Sequence, residues 1–196
     1  MRRIKSAVLT AVFATVPLAA VQTPASAAPG TFPVDENVVI SNAVSGNYLS
    51  TDGQNENPNQ DVEVWDRDPM AHDGSGAVWR IKRTSGGHYR IQTAPVRKAV
   101  PVCLSANENR PTSGNARVRT CNSQDSSQDW RIVAKPQAYD APPTGEFRIV
   151  PADHRHHSLA PVDARTNPRV HLKRNWDRQH PPALAYWHID GRTASS

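Results

Sequence analysis

One short phrase occurs three times in this sequence, as Trp79-Arg80-Ile81, Trp130-Arg131-Ile132 and Trp187-His188-Ile189. Each copy places a Trp two residues before an Ile, so that both side chains point to the same face of an extended strand. The copies begin 51 and 57 residues apart, by subtraction of their positions. Because the same strand pattern returns at a similar spacing, the chain is expected to contain an internal repeat.

A second landmark precedes each copy, and it returns in the same order. It is a Leu in the phrases Tyr48-Leu49-Ser50, Cys103-Leu104-Ser105 and Ser158-Leu159-Ala160, and successive Leu residues are 55 positions apart. Each repeat also opens with a strand-like segment and carries another one after the Leu, in which apolar and polar residues alternate. The sequence therefore predicts an all-β chain of three four-stranded repeats, at about 36–83, 87–134 and 145–190.

Three such repeats are too few for the open stacks that repeat proteins usually form with dedicated end caps. They can instead close around a pseudo-threefold axis, which removes exposed sheet edges as a barrel does. In that arrangement the three Trp-x-Ile strands bring equivalent side chains into one core. We therefore expect Trp79, Trp130 and Trp187 to be core residues, since a Trp buries a large apolar area.

The N-terminal segment has the features of a signal peptide rather than of a folded element. A basic stretch, Met1–Lys5, precedes an apolar run from Ala7 to Val21, and the small residues Ala25-Ser26-Ala27 follow. This pattern predicts a signal peptide at 1–27 and hence a secreted, extracellular protein, the alternative being a disordered or anchored N-terminus. The apolar run is shorter than the roughly 20 residues that a membrane helix needs, so no membrane insertion is expected.

The mature chain would begin with an extended lead-in at 28–35 and end with a tail at 191–196, on either side of one domain at 36–190. Loss of residues 1–27 removes three basic residues and no acidic one, so the 23 basic and 18 acidic residues become 20 and 18. The net charge falls from +5 to +2. No dense basic block with interleaved aromatic residues remains, which argues against a nucleic-acid partner.

Two cysteines, Cys103 and Cys121, are the only ones in the chain. In an exported protein such a pair most simply forms one disulfide, whereas a reactive thiol would need a nucleophile context that the sequence does not show. The segment His154–His157 contains three histidines, but their spacing in an extended loop does not match a metal site. Common hydrolase, zinc-protease, phosphate-loop and dinucleotide motifs are missing, so no enzyme activity, metal or cofactor is expected.

The second repeat carries three informative phrases: Cys103-Leu104-Ser105, Arg117–Cys121 and Gln128–Ile132. Together they resemble the Gln-x-Trp repeat of ricin B-type lectin domains, although Ala77 and Ala185 replace the Gln in the other two repeats. The resemblance extends over about 36–190. It implies a β-trefoil fold, a disulfide that bridges the cysteine pair within one repeat, and relatives that act as carbohydrate-binding modules of secreted bacterial proteins.

The resemblance also implies where a sugar would bind in each repeat. The family's pocket uses an Asp just after the Leu landmark, an aromatic residue near the end of the third strand, and an amide before the last Trp. Here the Asp position holds Ser50, Ser105 and Ala160, and the aromatic position holds Trp65, Arg119 and Lys173.

The first repeat is the best candidate for a sugar site, because only it keeps the aromatic residue. We expect Trp65 to stack on the sugar, with Glu63, Asp52 and Asp66 as sources of the missing carboxylate. Gln128 is the amide that the second repeat keeps. The competing interpretation is that Trp65 packs beneath the polar loop as an additional core residue.

The sequence thus predicts a secreted, non-catalytic, carbohydrate-binding β-trefoil protein with at most one or two sugar sites. Its partner would be a glycan, a polysaccharide or a glycoprotein. Arg119 and Lys173 are either solvated charges or contacts for acidic sugars. The alternative is a β-trefoil that binds protein, as a protease inhibitor or a toxin accessory subunit. Loss of the Asp from every repeat favours this alternative, and the presence of Trp65 favours sugar binding.

Overall fold

The computed structural model describes residues 31–51, 57–66, 76–94, 100–106, 114–137, 144–165, 168–174 and 182–191. The predicted signal peptide at 1–27 and Asp52 lie outside the described residues. Within the described ranges, no helix has the length and apolar character that crossing a membrane requires.

Twelve strands lie in these ranges, four in each repeat, together with 3-10 turns at Ser126–Gln128 and Ala183–Ala185. The strands are β1 (Asn37–Asn42), β2 (Tyr48–Thr51), β3 (Val62–Trp65), β4 (Trp79–Arg83), β5 (Tyr89–Thr93), β6 (Val102–Ser105), β7 (Arg117–Thr120), β8 (Trp130–Ala134), β9 (Glu146–Pro151), β10 (His157–Pro161), β11 (Val170–Arg174) and β12 (Tyr186–Gly191).

The first and fourth strands of the three repeats form a closed barrel. Going around it, β1 pairs with β4, then β5, β8, β9 and β12 follow, and β12 pairs again with β1, each pair being antiparallel. The second and third strands of each repeat form a hairpin: β2–β3, β6–β7 and β10–β11. A six-stranded barrel with three hairpins confirms the predicted all-β class and the β-trefoil fold.

The two sequence landmarks are joined by a hydrogen bond in every repeat. Trp79, Trp130 and Trp187 are fully buried in the hydrophobic core. Each indole N–H donates to the backbone carbonyl of its own repeat's Leu landmark, at distances of 2.8, 2.9 and 2.9 Å to Leu49, Leu104 and Leu159. Since a buried indole N–H requires an acceptor, this bond ties each hairpin to the barrel strand of the same repeat.

The third strands of the repeats meet around the pseudo-threefold axis. The Val62 N–H donates to the Ala116 carbonyl at 3.0 Å, and the Ala116 N–H donates to the Val170 carbonyl at 2.8 Å. The Val64 N–H donates to the Pro168 carbonyl at 3.1 Å. These bonds link the three repeats to one another at or near the start of their third strands, β3, β7 and β11.

The segment before β1 packs on the barrel. The Phe32 ring lies edge-to-face against Tyr89 and Phe147, with ring centroids 5.2 and 5.3 Å apart. The Asp35 N–H donates to the Ile81 carbonyl at 2.8 Å. This aromatic cluster extends the hydrophobic core at that end of the barrel.

Candidate functional site

The three hairpins share one register, which allows their equivalent positions to be compared directly. In an antiparallel pair, residues that lie opposite each other project to the same face. At the aromatic position predicted from the sequence, the three opposed pairs are Tyr48 with Trp65, Cys103 with Arg119, and Ser158 with Lys173.

The first hairpin is the one that presents two aromatic rings at this position. Val62 and Val64 point into the core and are fully buried, so alternation places Glu63 and Trp65 on the opposite face. Trp65 and Tyr48 are both half-buried. The opposed positions of β2 and β3 thus hold two amphipathic aromatic side chains that project away from the core, which is the placement that the stacking interpretation of Trp65 requires.

In the first hairpin, the predicted Asp position lies opposite an acidic residue of the neighbouring strand. Ser50 is fully buried, and its hydroxyl donates to the Thr51 carbonyl at 3.1 Å. Glu63 lies directly opposite Ser50, and its backbone also bridges to Arg169 of the third repeat. Asp66 is exposed and follows the last residue of β3. The structure thus brings Glu63, Trp65 and Asp66 to one hairpin, and Asp52 lies outside the described residues.

Gln128 belongs to a different part of the molecule. Its side chain is almost fully buried, and its amide donates to the Thr120 carbonyl and to Asp125, both at 3.0 Å. Its oxygen accepts the Asn122 N–H at 2.9 Å. All of these partners lie in the second repeat, where Gln128 fastens the turn after β7. Both amide hydrogens are engaged, so a sugar contact would have to use the second lone pair of its oxygen.

In the other two hairpins, the residues at the predicted Asp position are fully buried. Ser105 is fully buried, with its hydroxyl 2.7 Å from that of Ser127 and 3.0 Å from the Ala106 carbonyl that it bonds. In the third repeat, Ala160 is fully buried and has no polar group to offer. The Lys173 ammonium donates to the Val162 carbonyl at 2.7 Å.

A polar cluster at the pseudo-threefold axis was not predicted from the sequence. Asp61 accepts hydrogen bonds from Asn115 and from the Arg117 Nε, both at 2.9 Å, and its other contact is Arg169 at 3.1 Å. Its three partners come from the second and third repeats. The only available signal was that Asp61, Asn115 and Arg169 each lie one residue before a buried apolar residue at or next to the start of the third strand.

His171 adjoins this cluster. Burial lowers the pKa of the His171 imidazole, and the neighbouring charges of Lys173 and Arg169 lower it further, while Asp61 acts in the opposite direction.

Several solved structures have the same architecture. ThreeFoil, a designed threefold-symmetric protein, is 15% identical with a TM-score of 0.60, over 78% of this chain and 96% of its own. The C-terminal half of an earthworm R-type lectin, in complex with GalNAc, is 14% identical with a TM-score of 0.54, over 80% and 99%. The ricin B-like lectin of Macrolepiota procera, in complex with lactose, is 14% identical with a TM-score of 0.55, over 83% and 99%.

This protein has the β-trefoil fold of the ricin B-type lectins. At identities of 14–15% the similarity shows the fold alone. An endo-β-galactosidase of Clostridium perfringens is also similar, with 16% identity and a TM-score of 0.58, over 81% of this chain but 33% of that enzyme. No protein-family model matches the sequence, and no curated protein sequence matches it.

Proposed function

We propose that this protein is a secreted, non-catalytic carbohydrate-binding protein and that its first hairpin holds the sugar. The observation that carries the proposal is the opposed pair Tyr48 and Trp65, half-buried on one face of β2 and β3. Aromatic rings stack on the apolar face of a pyranose, and they are the usual apolar surface of small-molecule sites.

The polar half of the site would come from acidic side chains of the same hairpin. Glu63 projects to the face that carries Trp65, and Asp66 is exposed at the end of β3. A carboxylate accepts hydrogen bonds from two sugar hydroxyls, which fixes the orientation of a stacked ring. Because the equivalent positions of the other hairpins hold neither an aromatic residue nor an acid, we expect at most one or two working sites.

The similar structures support a glycan as the partner. The earthworm lectin structure contains GalNAc, and the Macrolepiota lectin structure contains lactose. In the endo-β-galactosidase, the matching region is a third of that chain, so the similarity leaves the other two thirds of the enzyme without a counterpart in the match. Incubation with chromogenic glycosides and peptides should therefore give no turnover. The N-terminal sequence pattern supports secretion.

A glycan array with Trp65→Ala tests the proposal. Loss of the stacking ring should weaken binding at least about tenfold, which corresponds to about 1.4 kcal/mol. Lys173→Ala is the matched control, because Lys173 occupies the same register position in the third hairpin. It should leave neutral-sugar binding unchanged. Unaltered binding by a folded Trp65→Ala variant would show that the first hairpin is not the sugar site.

One observation favours a protein partner instead. The Asp position holds Ser50, Ser105 and Ala160, all fully buried, so no repeat presents a carboxylate there. A β-trefoil that lost its sugar pockets in this way could act as a protease inhibitor or a toxin accessory subunit. A protease-inhibition panel beside the glycan array separates the two functions, since inhibition together with a blank array would establish the protein-binding alternative.

A further inference from the structure

The outward face of the barrel differs between the repeats at one equivalent pair of positions. In each repeat, the residue before the core Trp lies opposite a residue of the first strand, and both project away from the core because the Trp projects into it. By the register of the paired strands, these pairs are Val39 with Val78, Arg90 with Asp129, and Arg148 with Tyr186. The first pair is apolar and the second is an ion pair, but the third combines a cation with a neutral side chain.

The second repeat supplies its own counter-ion at this position. The Nε and Nη2 atoms of Arg90 both donate to the Asp129 Oδ1 at 3.2 Å, and the same Nη2 donates to the Ser123 carbonyl at 2.9 Å. Arg90 is half-buried. A charge that is partly removed from water is unfavourable unless it is paired, and Asp129 provides the pairing.

The third repeat has the same guanidinium without the acid. Arg148 is half-buried, and its Nε is buried without a hydrogen-bond partner. In the part of the chain that the structure describes, no hydrogen bond or ion pair engages the Arg148 guanidinium. Tyr186 stands where the second repeat has its carboxylate, and a neutral phenol does not balance the charge. The guanidinium is therefore available to an anion from outside the chain.

Two further cations flank Arg148 on this face. The register of β8 with β9 makes Arg131 and Lys135 its diagonal neighbours, at a separation that long side chains can span. Arg131 is exposed. The Lys135 ammonium pairs with Glu146 and lies 4.8 Å from the centroid of the Tyr186 ring, which places it above the residue opposite Arg148. Three positive charges thus stand against one negative charge.

We propose that Arg148, together with Arg131 and Lys135, forms a binding site for a phosphate monoester group on the outside of the barrel. Such a group carries about −1.5 to −2 charges at pH 7, which matches the excess of positive charge. The planar guanidinium binds two oxygens of a phosphate in parallel, and the ammonium adds a point charge. A carboxylate is less complementary, because it carries one charge and two oxygens in one plane.

The differences between the repeats limit the protein to one such site. In the first repeat the equivalent residues are both valines, and in the second repeat Asp129 already holds the guanidinium of Arg90. The site belongs to the barrel rather than to a hairpin, so it does not depend on sugar binding by the first hairpin. The phosphate could be carried by a soluble molecule or by a lipid headgroup, and the experiments below separate these two sources.

The test is an NMR titration of the 15N-labelled wild-type protein with methyl phosphate, followed by the Nε–H signals of the arginine side chains. The Arg148 signal should shift, whereas the Arg90 signal should stay in place because Asp129 already engages it. Dimethyl phosphate and acetate should bind at least about tenfold more weakly, since each carries a single negative charge. An unmoved Arg148 signal, or equal affinity for either monoanion, would overturn the proposal.

Variants give the second arm of the test. In Arg148→Gln the affinity for methyl phosphate should fall at least about tenfold, and in Arg131→Gln it should fall less. Arg90→Gln is the matched control, because Arg90 holds the equivalent position in the second repeat, and it should bind as the wild type does. An equal loss in Arg90→Gln would show that general surface charge attracts the anion, and the proposal would be wrong. If a variant does not fold, the comparison of the Arg148 and Arg90 signals in the wild type decides.

Vesicles identify the carrier of the phosphate. Phosphatidylcholine vesicles that contain phosphatidic acid present a monoester headgroup, and vesicles of phosphatidylcholine alone are the control. Sedimentation of the wild type with the phosphatidic acid vesicles, lost in Arg148→Gln, would support the site and assign the phosphate to a lipid. A protein that binds methyl phosphate but does not sediment with the vesicles would support the site and assign the phosphate to a soluble molecule.

Discussion

The barrel and the hairpins of this protein are built from the same three repeats. The repeats are alike at the core positions of the barrel, whereas they differ on the outward faces of the hairpins. In the barrel, all three positions hold a Trp that is fully buried and bonded to the carbonyl of the Leu landmark. On the hairpins, the equivalent outward positions hold Trp65, Arg119 and Lys173. Close packing in the core restricts the barrel position to one kind of side chain. The outward face of each hairpin has no such restriction, so its residues can differ from repeat to repeat.

The largest effect should come from the barrel side of this comparison. Trp130→Ala removes a fully buried indole and its bond to the Leu104 carbonyl, and we expect the free energy of unfolding to fall by about 3–5 kcal/mol. Trp79→Ala and Trp187→Ala should lose similar amounts. Denaturant unfolding followed by fluorescence measures the change.

Trp65→Ala is the matched control for that prediction, since it removes the same side chain from a half-buried position on a hairpin. The free energy of unfolding should fall clearly less in Trp65→Ala than in Trp130→Ala. If Trp65→Ala destabilised the protein as much as Trp130→Ala, the separation of core and hairpin roles would be wrong.

The next largest effect concerns the second hairpin, which carries the disulfide. The structure has the bond between Cys103 and Cys121 that the sequence predicts, and the two cysteines are 18 positions apart in the sequence. Replacing both cysteines with Ala should lower the free energy of unfolding by about 3 kcal/mol, the value typical of a closed loop of this length.

Hydrogen exchange would localise the effect of that double variant. Protection of the β6 and β7 amides should decrease most, whereas the β2–β3 hairpin should keep its protection. Uniform loss of protection across all three hairpins would indicate that the disulfide stabilises the whole fold rather than the second repeat.

Most of the fold could be predicted from the sequence, because its decisive contacts lie within one repeat. The Trp and Leu landmarks recur in fixed order, and the structure joins them by the same indole hydrogen bond three times. A contact that recurs in each repeat leaves a recurrent pattern in the sequence. The packing of Phe32 against Tyr89 and Phe147 leaves none, since it occurs once and joins distant segments.

The candidate site could be predicted only in part, because some of its pairings join segments that are distant in the sequence. Trp65 and Glu63 follow from alternation along one strand. Tyr48 as the partner of Trp65 required the register of β2 with β3, which sequence alone does not provide. The cluster around Asp61 takes its members from all three repeats, so it produces no motif within one repeat.

A smaller change in the free energy of unfolding is expected when the polar contact between the three repeats at the axis is removed. Asp61→Ala would leave three donors from the other repeats without their acceptor. Arg117 and Arg169 are partly solvated and can turn to water, so we expect a loss of about 1 kcal/mol, at the low end for an unsatisfied buried group. Asp163→Ala is the control, because Asp163 pairs with Arg165 inside one exposed loop, and it should have no measurable effect. If Asp61→Ala and Asp163→Ala changed the free energy of unfolding equally, the conclusion that Asp61 links the repeats would be wrong.

The smallest predicted effect distinguishes the third hairpin from the other two by its response to acid. Burial lowers the pKa of His157 in β10, and the charges of His154, Arg174 and His156 lower it further; the pKa of His171 in β11 is lowered as well. The unfolded chain therefore binds protons first as the pH falls below about 6.5, so stability is fully present above that pH and decreases below it. Between pH 7.5 and 5.5 the thermal midpoint of the wild type should fall slightly. The double variant, His157→Gln combined with His171→Gln, should flatten this dependence. An unchanged slope in the double variant would mean that these two histidines do not make the third repeat acid-sensitive.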